Sequence, residues 1–207
     1  MLHLTIRVLV LALSFHLGLA VSAAVAGQPT EIVKGVIEGV LDILKNPAYQ
    51  GPAHKTERRR LAKQLVDRRF DYQEMARRSL GPTWRHLSQA QRDDFVDLFA
   101  ELLEASYSDK IERYTANVRI DYVGEDVDGD YAEVRTMVVR PNDRIPLSYR
   151  LLNESGDWKV YDVSIEGVSL LSNYRSQFSK IIHESSYLEL VRRLRNKVNE
   201  LQGTDGA

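Results

Sequence analysis

Hydrophobic positions along the chain change their spacing twice, from a solid apolar run to a helical period and then to alternation. The solid run covers Val8 to Ala20, broken by Ser14, His16 and Gly18. From Thr30 onward apolar residues recur every three or four positions, and Ile32, Val36, Val40, Ile43 and Leu44 share one face. Thr30 stands at an N-cap position and Asn46-Pro47 stops the pattern, so a helix is expected over 30–45. After a linker containing Gly51-Pro52, a second helix over 55–69 turns Leu61, Leu65 and Val66 inward and a dense Arg/Lys face outward. Asp71 and Glu74 have capping-box spacing for a short third helix ending at Gly81-Pro82. Ser88 and Gln91 repeat the spacing before the most apolar helix, where Phe95, Leu98, Phe99, Leu102, Leu103 and Tyr107 form a wide stripe.

From Val118 the period becomes two, predicting strands near 118–124, 130–140, 145–153 and 157–166. Asp128-Gly129, Pro141-Asn142-Asp143 and Ser155-Gly156 join them, and turns this short require an antiparallel meander. Helices are expected again over 168–183 and 187–201. The reading is therefore α+β, with helices flanking a curved antiparallel four-stranded sheet. One face of such a sheet can pack on helices or leave a cavity between them.

Arg7 is the sole charge before Gly27, and the apolar run is followed by Ala24-Val25-Ala26. A basic start, a short apolar stretch and a small-x-small exit predict a cleaved secretory signal over 1–26. The mature chain then runs from Gly27, with a folded domain over 27–201, a flexible tail over 202–207 and a periplasmic location. Losing residues 1–26 leaves 27 basic against 29 acidic side chains, which gives no electrostatic case for nucleic acid. With no cysteine, disulfides, thiol nucleophiles and Cys-ligated zinc are excluded together.

Catalytic signatures are missing as well: no G-x-S-x-G, G-x-x-x-x-G-K, G-x-G-x-x-G or H-E-x-x-H occurs. His54, His86 and His183 are too far apart to read as ligands. Glu125, Asp126, Asp128 and Asp130 resemble the start of a calcium loop, but Gly129 falls at the fourth position and Met137 at the twelfth, so a solvated hairpin turn is the better reading. No metal, no cofactor and no enzymatic activity are expected. The runs Arg58-Arg59-Arg60 with Lys63, Arg68 and Arg69, and Arg192-Arg193 with Arg195 and Lys197, read as solvated faces or as surfaces for anionic headgroups or an acidic partner.

Two stretches carry a resemblance. One is Phe70-Asp71-Tyr72-Gln73-Glu74-Met75-Ala76-Arg77 with Leu80-Gly81-Pro82-Thr83-Trp84-Arg85, then Leu87-Ser88, Gln91-Arg92 and Phe95. The other is Tyr161-Asp162-Val163-Ser164-Ile165-Glu166-Gly167-Val168-Ser169-Leu170, then Asn173-Tyr174-Arg175-Ser176-Gln177-Phe178. Together they resemble the MlaC/toluene-tolerance family of periplasmic phospholipid-binding proteins, in order from about Thr30 to Leu201. The resemblance implies an NTF2-like or cystatin-like cradle with extra helices, holding acyl chains between sheet and helices. It also implies an auxiliary component of an ABC transporter that helps maintain outer-membrane lipid asymmetry. Such a protein makes transient contacts with an inner-membrane transporter complex and an outer-membrane lipoprotein complex, and a monomer is expected.

The residues expected to line an apolar lipid pocket are Phe95, Phe99, Leu102 and Leu103 on the long helix; Val134, Val138, Leu147, Tyr149, Val163 and Ile165 on the strands; and Leu171, Tyr174 and Phe178 on the next helix. Met75 and Trp84 read as core. Arg175, beside Tyr174 at the expected pocket mouth, is a candidate phosphate partner. Three other readings stand beside phospholipid carriage: a hopanoid-linked carrier of the same family, an adaptor without lipid, and an isomerase of the NTF2-like kind using Asp162, Tyr149 and Tyr161.

Overall fold

The computed structural model describes residues 28–114 and 118–204, so the expected signal segment lies outside the described residues. Six helices and five strands follow one another as α1 (Gln28–Lys45), α2 (Lys55–Asp67), α3 (Tyr72–Leu80), α4 (Gln89–Tyr114), β1 (Arg119–Asp128), β2 (Tyr131–Arg140), β3 (Asp143–Glu154), β4 (Asp157–Ile165), β5 (Val168–Ser169), α5 (Leu170–Glu184) and α6 (Tyr187–Thr204). The sheet is an antiparallel meander in the order β1-β2-β3-β4-β5. The expected four strands become five because Glu166 and Gly167 both take positive φ, 52° and 81°, folding Val168 and Ser169 back onto β4. β1 runs past the expected residue 124 because a bulge between Tyr122 and Gly124 resets its register and lets Glu125–Asp128 pair with β2.

Local sequence explains most helix ends. Ser88 and Gln91 form a reciprocal capping box, with the Gln91 amide donating to Ser88 Oγ at 3.2 Å and the Ser88 amide to Gln91 Oε1 at 2.9 Å. Asp71 caps α3 by accepting from the Glu74 amide at 2.9 Å, but Glu74 does not reach back; its carboxylate is held by Arg77 and Arg78. Thr30 does not cap α1, which starts at Gln28. Glu125 instead accepts from the Thr30 amide at 2.7 Å and from the Thr30 hydroxyl at 2.5 Å. A carboxylate there satisfies a free amide and complements the helix dipole. Part of the acidic cluster read as a solvated turn is therefore an anchor for α1. At the other end of the chain, α6 continues through 202–204, where a tail was expected.

Two apolar cores result. In the first, α1 lies on one face of the sheet, packing Val33 with Ile32 and Ile37 against Ala132, Val134, Leu151, Trp158, Val160 and Val163. In the second, α3, α4, α5 and α6 pack on one another around Phe95, Phe99 and Phe178, which are at most 2% exposed. Phe95 and Phe99 stack at 6.0 Å, and Phe178 meets both edge-on at 5.9 and 5.7 Å. A bulge opposite Arg150 and Leu151 takes in Tyr161, so that Val160 and Val163, three residues apart, both face α1, while Tyr161 joins the helices under the Arg78 guanidinium.

Asp162 links the two halves. It is 2% exposed; Oδ1 accepts from the Leu171 amide at 3.1 Å and Oδ2 from the Ser169 hydroxyl at 2.6 Å, so strand β4 caps helix α5. Asp162→Ala leaves a buried amide and hydroxyl without that acceptor and is expected to cost about 1–3 kcal/mol of stability. Urea unfolding checks this; a loss within about 0.5 kcal/mol, the range of ordinary surface changes, contradicts the role.

Candidate functional site

The thirteen candidate residues separate into two places. Phe95, Phe99, Leu102, Leu103, Leu171 and Phe178 belong to the helical core, with Tyr174 packed on them, its ring edge-on to Phe99 at 5.2 Å. Val134, Leu147, Tyr149, Val163 and Ile165 belong to the layer beneath α1. Val138, half-buried, lies on the same face, paired with Ile120 and Ile145 beyond the buried cluster. The expected pocket joining the long helix to the sheet is thus not formed. The large apolar stripe of α4 is consumed by helix–helix packing, a demand that periodicity alone could not tell from pocket lining. Met75 and Trp84 fall in the helical core as expected.

Arg175 is placed away from the sheet face. Its guanidinium covers Gly81, 3.4 Å from where a Cβ on that residue would stand, and Gly81 has φ of +56°. The two stretches quoted for the family resemblance therefore meet at the α3–α5 contact, where bare glycine backbone lets the arginine approach.

What remains as a candidate site is the inner face of the sheet, its cover α1, and the groove beside that cover. Alternation builds the face on β2, from Ala132, Val134 and Thr136, and on β3, from Leu147, Tyr149 and Leu151; on β4 the bulge brings Val160 in line with Val163 and Ile165. Few polar atoms interrupt it. Trp158 Nε1 is buried and has no hydrogen-bond partner, and burial pushes the Tyr122 phenol up to about 12. Burial likewise pushes the Tyr149 phenol up to about 12, with the Thr136 hydroxyl beside it pulling the other way. These hydroxyls are neutral at physiological pH, so the middle of the face is uncharged, with Glu125 at one edge and the Arg140–Asp143 ion pair at its far end.

Alongside α1 a groove of about 610 Å³ opens between α1, α2 and the β3–β4 turn. Ile32, Val36 and Leu65 line it, with Arg68, Arg69 and Asp157 among its polar residues. Its size falls within the roughly 300–1,000 Å³ of small-molecule sites. A second hollow of about 360 Å³, between α4 and α6, is more polar, with Asp94, Asp97, Glu101, Arg195 and Asn199 around Leu98 and Val198. Sequence reasoning missed the groove because its walls are single exposed turns of two helices brought together by packing.

The basic face of α2 also finds a use inside the molecule. Arg58 pairs with Glu112 at 3.1 Å, Lys55 with Asp109 at 3.7 Å, and Arg59 with both acids. Much of the Arg58–Arg60 run is thus an ion-pair seam onto α4, leaving Arg68 at the groove end of the same helix. Among the described residues no cluster of three or more His, Asp or Glu side chains is placed to hold a metal ion, and no helix is long and apolar enough to cross a membrane.

The sequence model of the MlaC protein family matches residues 34–196, from the middle of α1 into α6. The chain belongs to the MlaC family. The intermembrane phospholipid transport system binding protein MlaC of Haemophilus influenzae is 26% identical over 126 residues, 58% of this chain and 59% of that relative. The match therefore spans less than two thirds of the curated relative's length. A phospholipid-binding protein from Ralstonia solanacearum, solved in complex with a phospholipid, superposes with a TM-score of 0.75 at 25% identity, covering 83% of this chain and 97% of that one. The MlaC fold thus includes α1, the sheet and the helical core together.

Because burial pushes the Tyr149 phenol up to about 12 in the folded chain, against about 10 when unfolded, its expected contribution to stability is complete below about pH 10. It is lost as pH rises toward 12. Tyr149→Phe should flatten the alkaline fall in stability measured by urea unfolding across that window. An unchanged slope would place the phenol in solvent and not under α1.

Proposed function

We propose that this MlaC-family chain is a periplasmic carrier that covers phospholipid acyl chains between α1 and the inner face of the sheet, without catalysis. The observation that supports it most is a nearly uncharged, continuous apolar face closed by a single helix, in a fold shared with a protein solved holding a phospholipid. Burying each methylene contributes about 0.8 kcal/mol, so one chain of about 16 carbons represents roughly 12 kcal/mol against water. No diacyl lipid crosses an aqueous space without such cover. Delivery requires that the cover be no better than a membrane, and a face lacking buried ionic anchors meets that condition.

Residues 1–26 are read as the export signal. The partners follow from the relative's transport role: an inner-membrane transporter complex and an outer-membrane lipoprotein complex, each met transiently by a monomer. The isomerase alternative loses its base, because both carboxylate oxygens of Asp162 are occupied by Ser169 and Leu171. Val134, Leu147, Tyr149, Val163 and Ile165 are the proposed lipid-facing residues, with Val138 at the margin.

Native mass spectrometry of the protein purified from the periplasm, followed by lipid extraction, tests the reading. The expected result is a phospholipid adduct on a chain beginning at Gly27. A preparation without lipid, which also takes none from vesicles, contradicts carriage and leaves the adaptor reading. A hopanoid in place of the phospholipid would move the chain to the other branch.

A further inference from the structure

The rim of the α1–α2 groove carries charge that the folded chain does not use. Arg69 is held by Asp157, Nη1 to Oδ1 at 3.0 Å, and Lys159 lies 3.6 Å from the same carboxylate. Arg68 and Glu31, both exposed at the groove, make no ion pair and no hydrogen bond among the described residues, and Glu31 only helps to hold the Tyr122 phenol protonated. Between them the walls are apolar, from Ile32, Val36 and Leu65. Ile32 also packs into the buried layer between α1 and the sheet, so the groove leads toward the face proposed to hold acyl chains.

Two glycines on α1 set the groove's shape. At Gly39 a Cβ would stand 2.7 Å from Leu65 Cδ1, so α1 and α2 touch there. One turn earlier, at Gly35, a Cβ would meet nothing within 4 Å. The helices therefore part toward the Glu31 and Arg68 end, and the groove is open at its charged rim.

One unpaired guanidinium and one unpaired carboxylate beside an apolar wall complement a molecule that carries a phosphate, an ammonium and hydrocarbon together. We propose that this rim is a headgroup subsite selecting zwitterionic phospholipids: Arg68 donates to the phosphate, Glu31 accepts from the ammonium, and the tails pass Ile32 and Val36 toward the sheet. The guanidinium fork suits phosphate oxygens. A headgroup with no ammonium leaves Glu31 facing net negative charge. The inference rests on the carrier reading above.

The test uses delipidated full-length mature protein and vesicles of phosphatidylethanolamine and phosphatidylglycerol in equal parts, with bound lipid quantified by mass spectrometry. The unaltered protein should favour phosphatidylethanolamine. Arg68→Glu should lower uptake of both lipids about fivefold, the order of one exposed ion pair. Glu31→Gln should lower phosphatidylethanolamine alone and abolish the preference. Gly35→Phe, which projects into open space, should block uptake of both at an unchanged melting temperature, with Gly35→Ala as the control that loads normally. Excess inorganic phosphate should leave the lipid bound. Equal uptake of the two lipids by the unaltered protein, wild-type behaviour of Arg68→Glu and Glu31→Gln, normal loading of Gly35→Phe, or displacement by inorganic phosphate would each overturn the subsite while carriage stands. If the unaltered protein takes up no phospholipid at all, the carrier reading fails and this inference with it.

Discussion

Everything in this molecule depends on how the inner face of the sheet is covered. Such an apolar surface cannot face water, and among the described residues the helix laid across it is α1, with Phe70 and Leu170 packed at its margins. The cover is held by a short list of contacts: Val33 with Ile32 and Ile37 into the sheet, Glu125 on the first turn, and Leu65 against Gly39 from α2. None of these is a buried ion pair inside the layer. A helix held mainly by hydrophobic contact can be exchanged for hydrocarbon at little cost, because methylene groups satisfy the same surface. The helical core built by α3 to α6 is different in kind: Phe95 stacks on Phe99, Phe178 locks both edge-on, and the hollow between α4 and α6 is smaller and more polar.

This division assigns separate work to the two halves. The stretches that carry the family resemblance belong largely to the rigid half and its junctions: Phe95, Tyr174 and Phe178 in the helical core, Gly81 under Arg175, and Asp162 capping α5. These residues position the sheet, whereas Val163 and Ile165 of the same stretches line it. α2 is fastened to the rigid half by ions, Arg58 and Arg59 on Glu112, and to α1 by the close approach at Gly39. It can therefore act as the fixed shoulder against which α1 shifts.

The meander, its turns and most helix ends were legible in the sequence because each is set locally: alternation marks strands, Asp128-Gly129 and Ser155-Gly156 mark turns, and the Ser88–Gln91 box marks the start of α4. The fifth strand was not, since two residues pairing after a tight turn leave no periodic trace. That the strand candidates share one face was legible for the same reason that strands are, as alternate positions lie on one side. That the α4 and α5 candidates pack on other helices was not legible, because an apolar stripe reports burial without saying against what. Thr30 and Glu125 are 95 positions apart, and nothing local announces their bond.

On the proposed reading, acyl chains enter by separating α1 from the sheet. The chain has no cysteine, so a pair of introduced ones can be spin-labelled without background. Labels at Glu38 on α1 and Arg144 on β3, both exposed, report that separation across the layer by double electron–electron resonance. A longer distance is expected in phospholipid-loaded protein than in delipidated protein, with the distance between labels on α4 and α6 unchanged. An unchanged α1–sheet distance in protein shown to be loaded, or a change confined to the helical core, would contradict it.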